Sequence, residues 1–93
     1  MNRKTLLMFA KRIISNSTEE KAKINLLQLQ EVLAEQGAAE ADIQLVKVIT
    51  MSVRELKGLP EKPFFTENDI EIAERRARQR IAREEAAASM GRC

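Results

Sequence analysis

Apolar positions recur along this chain at spacings of three and four, the period of an α-helix, in four blocks separated by turn-forming residues. In the first block Leu6, Leu7, Phe9, Ala10, Ile13 and Ile14 share one broad face, and Lys4, Lys11 and Arg12 share the other. That pattern predicts an amphipathic helix over Arg3 to Ser15. The cluster Ser15-Asn16-Ser17-Thr18 reads as a turn, and Ser17 with Glu20 forms a Ser-x-x-Glu capping box. A second helix should therefore run from about Thr18 to Gln36 and stop at Gly37. Its main stripe is Ala22, Leu26, Leu29 and Leu33; Ile24, Leu27 and Val32 widen it enough to suggest contact on two sides.

The third block carries Ala41, Leu45, Val48, Ile49, Val53 and Leu56 on one face, with Gln44, Lys47, Thr50 and Arg54 away from it. Val46 to Val53 is rich in β-branched residues and would also suit a strand. The helical spacing persists for about four turns, so one helix from Ala38 to Lys57 is expected, ended by Gly58 and Pro60. Ile43 and Met51 fall off its main face and could form a second contact patch.

The fourth block, Thr66 to Ser89, has the clearest start. The Thr66 hydroxyl can cap a free backbone amide, Glu67 and Asp69 suit the positive end of the helix dipole, and Phe65 and Ile70 can close a hydrophobic staple. On a wheel of about 100° per residue, Ile70, Ala73, Ala77, Ile81 and Ala88 form a narrow apolar line. On one flank Arg75 and Arg78 follow Glu71 and Glu74 by four residues, the favourable order for helix ion pairs. On the other flank Arg76, Arg80 and Arg83 form a row with only Asp69 and Glu84 near enough to neutralise it. At about 1.5 Å per residue this helix would reach some 35 Å, so its outer half, from about Arg78, should project.

The fold expected from these blocks is all-α: a small bundle of three packed helices plus a long, partly projecting, Arg-rich C-terminal helix. The divisions are a three-helix core over residues 1–58, a Pro/Phe linker over 59–65, and the C-terminal helix and tail over 66–93, in one domain overall. Pro60 and Pro63 force the linker to turn or extend, and Leu59, Phe64 and Phe65 tack it onto the bundle. Phe64 and Phe65 are also candidates for an exposed anchor, since aromatic side chains are favoured at interface hot spots.

Composition narrows the function. The 93 residues contain no His, Tyr or Trp and one Cys, the terminal Cys93. That removes the usual general base, the Cys/His nucleophile pair, an intramolecular disulfide and nearly every transition-metal site. The three glycines are isolated, so no phosphate-binding loop is present, and adjacent carboxylates such as Glu84 and Glu85 point apart on a helix. We therefore expect no enzymatic activity, no cofactor and no bound metal. Cys93 reads as a bystander at a chain end or as a thiol for an intermolecular disulfide. No apolar run is long enough to span a bilayer or to serve as a secretory signal, and a cytoplasmic location is expected.

The formal net charge is only +2, but it is unevenly placed. The first fourteen residues hold Arg3, Lys4, Lys11 and Arg12 and no acid, while Thr66 to Cys93 balances six arginines against six carboxylates. Neither the Asn16-Ser17-Thr18 turn nor the Gly37 turn suits a helix-turn-helix, because each leads into acidic residues. The expected function is that of a non-enzymatic interaction protein, a small helical adaptor or inhibitor of a larger macromolecular complex, one that could itself handle nucleic acid. Its partner-binding residues would be Arg76, Arg80, Arg83, Phe64 and Phe65. The alternative is a nucleic-acid-binding regulator using the same arginines with the basic patch Arg3, Lys4, Lys11 and Arg12. A homo-oligomer joined through the Ile70/Ala73/Ala77/Ile81 stripe is a third reading.

Overall fold

In a computed structural model that describes residues 2–60 and 62–90, the chain is all-α, with five helices: α1 (Arg3–Ser15), α2 (Glu19–Glu35), α3 (Glu40–Met51), α4 (Val53–Lys57) and α5 (Glu67–Met90). Cys93 lies outside the described residues. The backbone of α5 approaches α3 and α4 and neither α1 nor α2, so α3 and α4 form a middle layer between the α1/α2 pair and α5. The core joins Leu6, Ile14, Leu26, Val46, Ile49 and Val53, each at most 2% exposed, and extends to Phe65, Ile70 and Ala73.

Local chemistry sets the helix ends. Asn2 caps α1, its Oδ1 accepting from the Thr5 amide at 2.8 Å. At the other end of α1, Lys57 Nζ donates to the Ile14 carbonyl at 3.0 Å and to the Ser17 carbonyl at 2.7 Å. The first is an orphan acceptor that a helix C-terminus leaves, next to the negative end of its dipole, and the second belongs to the turn that leads into α2. The cap of α2 is Thr18, which accepts from the Lys21 amide at 3.3 Å, and not Ser17: of two adjacent hydroxyls, the second takes the role. Gly37 ends α2 with φ of 73°, a conformation that favours glycine, and the Ala38 and Gly37 amides donate to the Leu33 and Ala34 carbonyls at 2.9 and 3.1 Å in a Schellman closure.

Residues 38–57 are not one helix. The chain breaks at Ser52, a fully buried residue whose hydroxyl donates to the Val48 carbonyl at 2.8 Å. Such back-bonding bends helices, and the surrounding Val46, Val48, Ile49, Thr50 and Val53 are stiff at χ1 and weak at holding a helix straight. Ile43 is half-buried and packs against the core, and Met51 is half-buried at the break. Thr50 turns toward α2: Gln30 Nε2 donates to its hydroxyl at 3.0 Å, and that hydroxyl donates to the Val46 carbonyl at 2.7 Å.

The start of α5 is a reciprocal cap. The Asp69 amide donates to Thr66 Oγ1 at 3.1 Å, and the Thr66 amide donates to Asp69 Oδ2 at 3.0 Å. Lys62 Nζ closes on the same carboxylate at 3.0 and 3.2 Å, so the linker is pinned to the helix it feeds. Phe65 and Ile70, both buried, sit on either side of this cap in the staple positions. The Thr66 amide, then Lys62, hold the Asp69 carboxyl below its ordinary range, against the upward push of its burial. With the folded pKa depressed, Asp69 contributes stability above its unfolded pKa of about 3.9 and loses it as pH falls through the lower folded value. Asp69→Asn should therefore cost about 1–2 kcal/mol at pH 7, and urea unfolding at pH 3 should find the gap between wild type and variant narrowed.

Candidate functional site

Of the row Arg76, Arg80 and Arg83, the structure leaves only two members on the surface. Arg80 is turned inward, its side chain 20% exposed, and forks onto Glu55 of α4: Nε to Oε2 at 2.8 Å and Nη2 to Oε1 at 3.1 Å. Its Nη2 also donates at 3.2 Å to the Met51 carbonyl, which in an unbroken helix would accept from the amide of residue 55. The pair continues outward, with Glu84 3.7 Å from Arg80 and 3.8 Å from Arg54, and Arg54 Nε 2.9 Å from Glu19 at the start of α2. The Arg80 hydrogen bonds hold Glu55 below the usual carboxylate range against its burial, and Arg54 does the same for Glu19. Arg80 is thus a clasp between α4 and α5.

Arg76 and Arg83 are exposed and make no ion pair among the described residues. Arg75 joins them: its expected bond to Glu71 is not made, while Arg78 does reach Glu74, at 2.9 Å. Taking Ile70, Ala73 and Ala77 as the inward side of α5, positions 75, 76, 79 and 83 point outward at about 100° per residue. The outward stripe therefore reads Arg75, Arg76, Gln79 and Arg83, with Ile72 among them and Glu71 beside Arg75, where Glu71, Glu74, Arg75 and Arg78 line one shallow hollow. Sequence reasoning passed over Arg75 because a favourably spaced Glu71 was available; the signal for it was only its angular neighbourhood with Arg76.

The other expected site residues are dispersed. Phe65 is 3% exposed and part of the core, and Phe64 is half-buried, so neither is a free anchor. Lys4 lies 5.8 Å from the Phe64 ring centroid and Lys11 5.2 Å from that of Phe65, a cation–π arrangement that ties α1 to the linker. Arg3 pairs with Glu67 at 2.9 Å. Of the N-terminal basic patch, Lys4 and Arg12 are exposed and outside any ion pair among the described residues, and Lys4 is engaged over the Phe64 ring. The stripe proposed as an oligomer seam is also occupied: Ile70, Ala73 and Ala77 are buried against α3 and α4, and Ile81 is half-buried, so this line closes the protein's own core. The exposed run of α5 begins at residue 82, a turn later than expected, and takes in Arg83 to Ala88.

Among the described residues five large apolar side chains stand exposed, all on α1 and α2: Met8 at 47%, Phe9 at 43%, Ile24 at 55%, Leu27 at 51% and Val32 at 44%. The broad α2 face does meet neighbours on more than one side, α1 and the α3/α4 layer, but Ile24, Leu27 and Val32, which widen it, remain uncovered. Among the described residues, no three carboxylates or thiols come together as a metal site, and no helix is long and apolar enough to cross a membrane.

The fold and surface define a small all-α protein whose most distinctive polar feature is a set of exposed arginines, Arg75, Arg76 and Arg83, outside any ion pair among the described residues, on a helix docked at one end. Compared with protein-family models, with curated proteins and with solved structures, the chain matched none.

Proposed function

We propose that this chain is a non-enzymatic interaction protein, a small helical adaptor or inhibitor that docks on a larger macromolecular assembly through the outward face of α5. The observation that carries this reading is the set of exposed arginines Arg75, Arg76 and Arg83, none of them in an ion pair among the described residues, on a helix whose inner side is fixed by Ala73, Ala77 and the Arg80–Glu55 clasp. Such a set of cations on a braced element meets a partner of the opposite sign with little ordering cost and steers its approach. The partner fitting it best is a protein surface rich in Asp and Glu. Nucleic acid fits less well, since the net charge is only +2, the chain has no Tyr or Trp to stack on bases, and Glu71 and Glu85 are exposed on the same helix.

Because exposed arginines are individually worth little, charge reversal is the sharper probe than truncation. Arg76→Glu combined with Arg83→Glu should leave helicity and the thermal midpoint unchanged and reduce partner capture about tenfold or more. Tagged wild type and variant would be used to capture binders from host lysate with and without nuclease, followed by mass spectrometry. Proteins held by wild type, resistant to nuclease and lost from the variant support the reading. Equal recovery by both forms removes α5 from it, and recovery of nucleic acid with salt-sensitive affinity replaces it with the phosphate-binding alternative.

A further inference from the structure

Three of the exposed apolar residues of α1 and α2, Met8, Phe9 and Val32, border adjoining hollows, while Ile24 and Leu27 lie outside them. Phe9 and Ile13 on α1 face Leu29 and Val32 on α2 across a concavity of about 490 Å³, closed at its base by the buried Leu33 and edged by Gln28 and Gln36. Phe9 also borders a second concavity, which Met8 and Arg12 line together with Lys62 and Pro63 of the linker. The two hollows meet at Phe9, and among the described residues no carboxylate lines either of them. The resulting surface is an apolar trough between two helices with amides along its α2 edge and a guanidinium on its α1 side. By contrast, the cleft between α3 and α5 is lined by Glu67, Glu71 and Glu74.

We propose that this trough is a docking groove for an amphipathic helix of an acidic partner, with apolar side chains entering between Phe9 and Val32 and carboxylates aligned toward Arg12. The shape selects the occupant. A flat bilayer rewards apolar groups that protrude, whereas apolar walls facing each other across a trough reward a rod whose side chains enter at intervals of three and four residues. The charge selects its sign: α1 contains no acidic residue, the trough's other edge is neutral amide, and Arg12 makes no ion pair among the described residues. An acidic flank laid along the α1 side therefore gains an attraction at Arg12, on a helix that carries no acidic residue. This groove lies on the α1/α2 side, across the α3/α4 layer from α5, and its use is independent of the arginine stripe.

The probe is a synthetic helical peptide of about 18 residues with Leu at positions i, i+3, i+4 and i+7 and Glu along one edge, carrying one Trp reporter that this Trp-free chain leaves unobscured. The expected result is saturable binding by fluorescence anisotropy, with amide NMR shifts confined to the trough. A peptide with Lys in place of Glu should bind about tenfold more weakly, Arg12→Glu should reverse that preference, and Val32→Asp should abolish binding of both. Val32 and Arg12 are exposed, so both variants should retain the wild-type thermal midpoint. Arg76→Glu/Arg83→Glu should bind the peptide as wild type does, which separates failure of the groove from failure of the α5 reading. Equal affinity for the two peptides, shifts elsewhere, or no binding overturns the proposal. So does a dimer in light scattering that Val32→Asp dissolves, which gives the trough to a second copy, or binding to anionic vesicles with none to the peptide.

Discussion

Arg80→Ala should destabilise the protein by about 3 kcal/mol, which for a domain of this size lowers the thermal midpoint by about 15 °C. The loss comes mostly from what is left behind. Glu55, with a side chain only 9% exposed, would keep its charge without the two-pronged donor that satisfies it, and the Met51 carbonyl would lose a donor at the α3/α4 break. Arg80→Lys should recover only part of the stability, because an ammonium cannot make the paired bonds of a guanidinium. The double variant Arg80→Ala/Glu55→Ala should lose less than the sum of its single variants, as expected where each single change strands the other's partner. The dependence on pH has a defined sign. Glu55 has its folded pKa depressed by Arg80, so the clasp contributes fully above the unfolded carboxylate value of about 4.3 and fades as pH falls through the folded one. Urea titrations should show the gap between wild type and Arg80→Ala closing in that acid range. An unchanged midpoint at pH 7 would mean that the clasp is not formed, and would return Arg80 to the outward row. Loss of partner binding on replacing Arg80 is in any case uninformative about docking, which is why the charge reversals target Arg76 and Arg83.

The contrast between Arg80 and its neighbours marks what a sequence can and cannot disclose here. Helix ends were legible because their chemistry is local: Thr66 with Asp69, Gly37 at a left-handed turn, and Phe65 with Ile70 are each set by residues within five positions of one another. Thr18 rather than Ser17 is the same chemistry displaced by one residue. The fate of the arginines was not legible, because a wheel gives angles along one helix and carries no information about what lies opposite. Arg80's partner is 25 positions earlier in the chain, on a short helix that exists only because Ser52 breaks the third block. That break had a local signal, a serine inside a β-branched run, which the persistence of apolar spacing outweighed. The α1/α2 trough follows the same logic. Apolar breadth on α2 was plain, but Val32 and Phe9 differ from Leu33 and Ile14 only in which helices happen to cover them. The candidate sites of this protein are therefore its uncovered remainder, and coverage is a tertiary property.

The same point predicts opposite outcomes for two alanines on one helix. Ala77 and Ala88 belong to a single apolar line on the wheel, yet Ala77 is fully buried against the middle layer and Ala88 is exposed on the projecting end. Ala77→Glu should cost about 3 kcal/mol or more, because a carboxylate forced into a space that fits one methyl group must desolvate, clash with α3 or α4, or push α5 away. Ala88→Glu should change stability by less than about 0.5 kcal/mol, since glutamate is nearly as good a helix former as alanine and the side chain meets water. Urea unfolding followed by circular dichroism measures both. A stripe used mainly as a seam between molecules would give a different pair of results: Ala77→Glu would leave the isolated chain stable and reduce only its association. A large loss at position 77 in a chain that light scattering finds monomeric therefore fixes the inner half of α5 as core. It also leaves the outward arginines and the free end as the parts of that helix available to a partner.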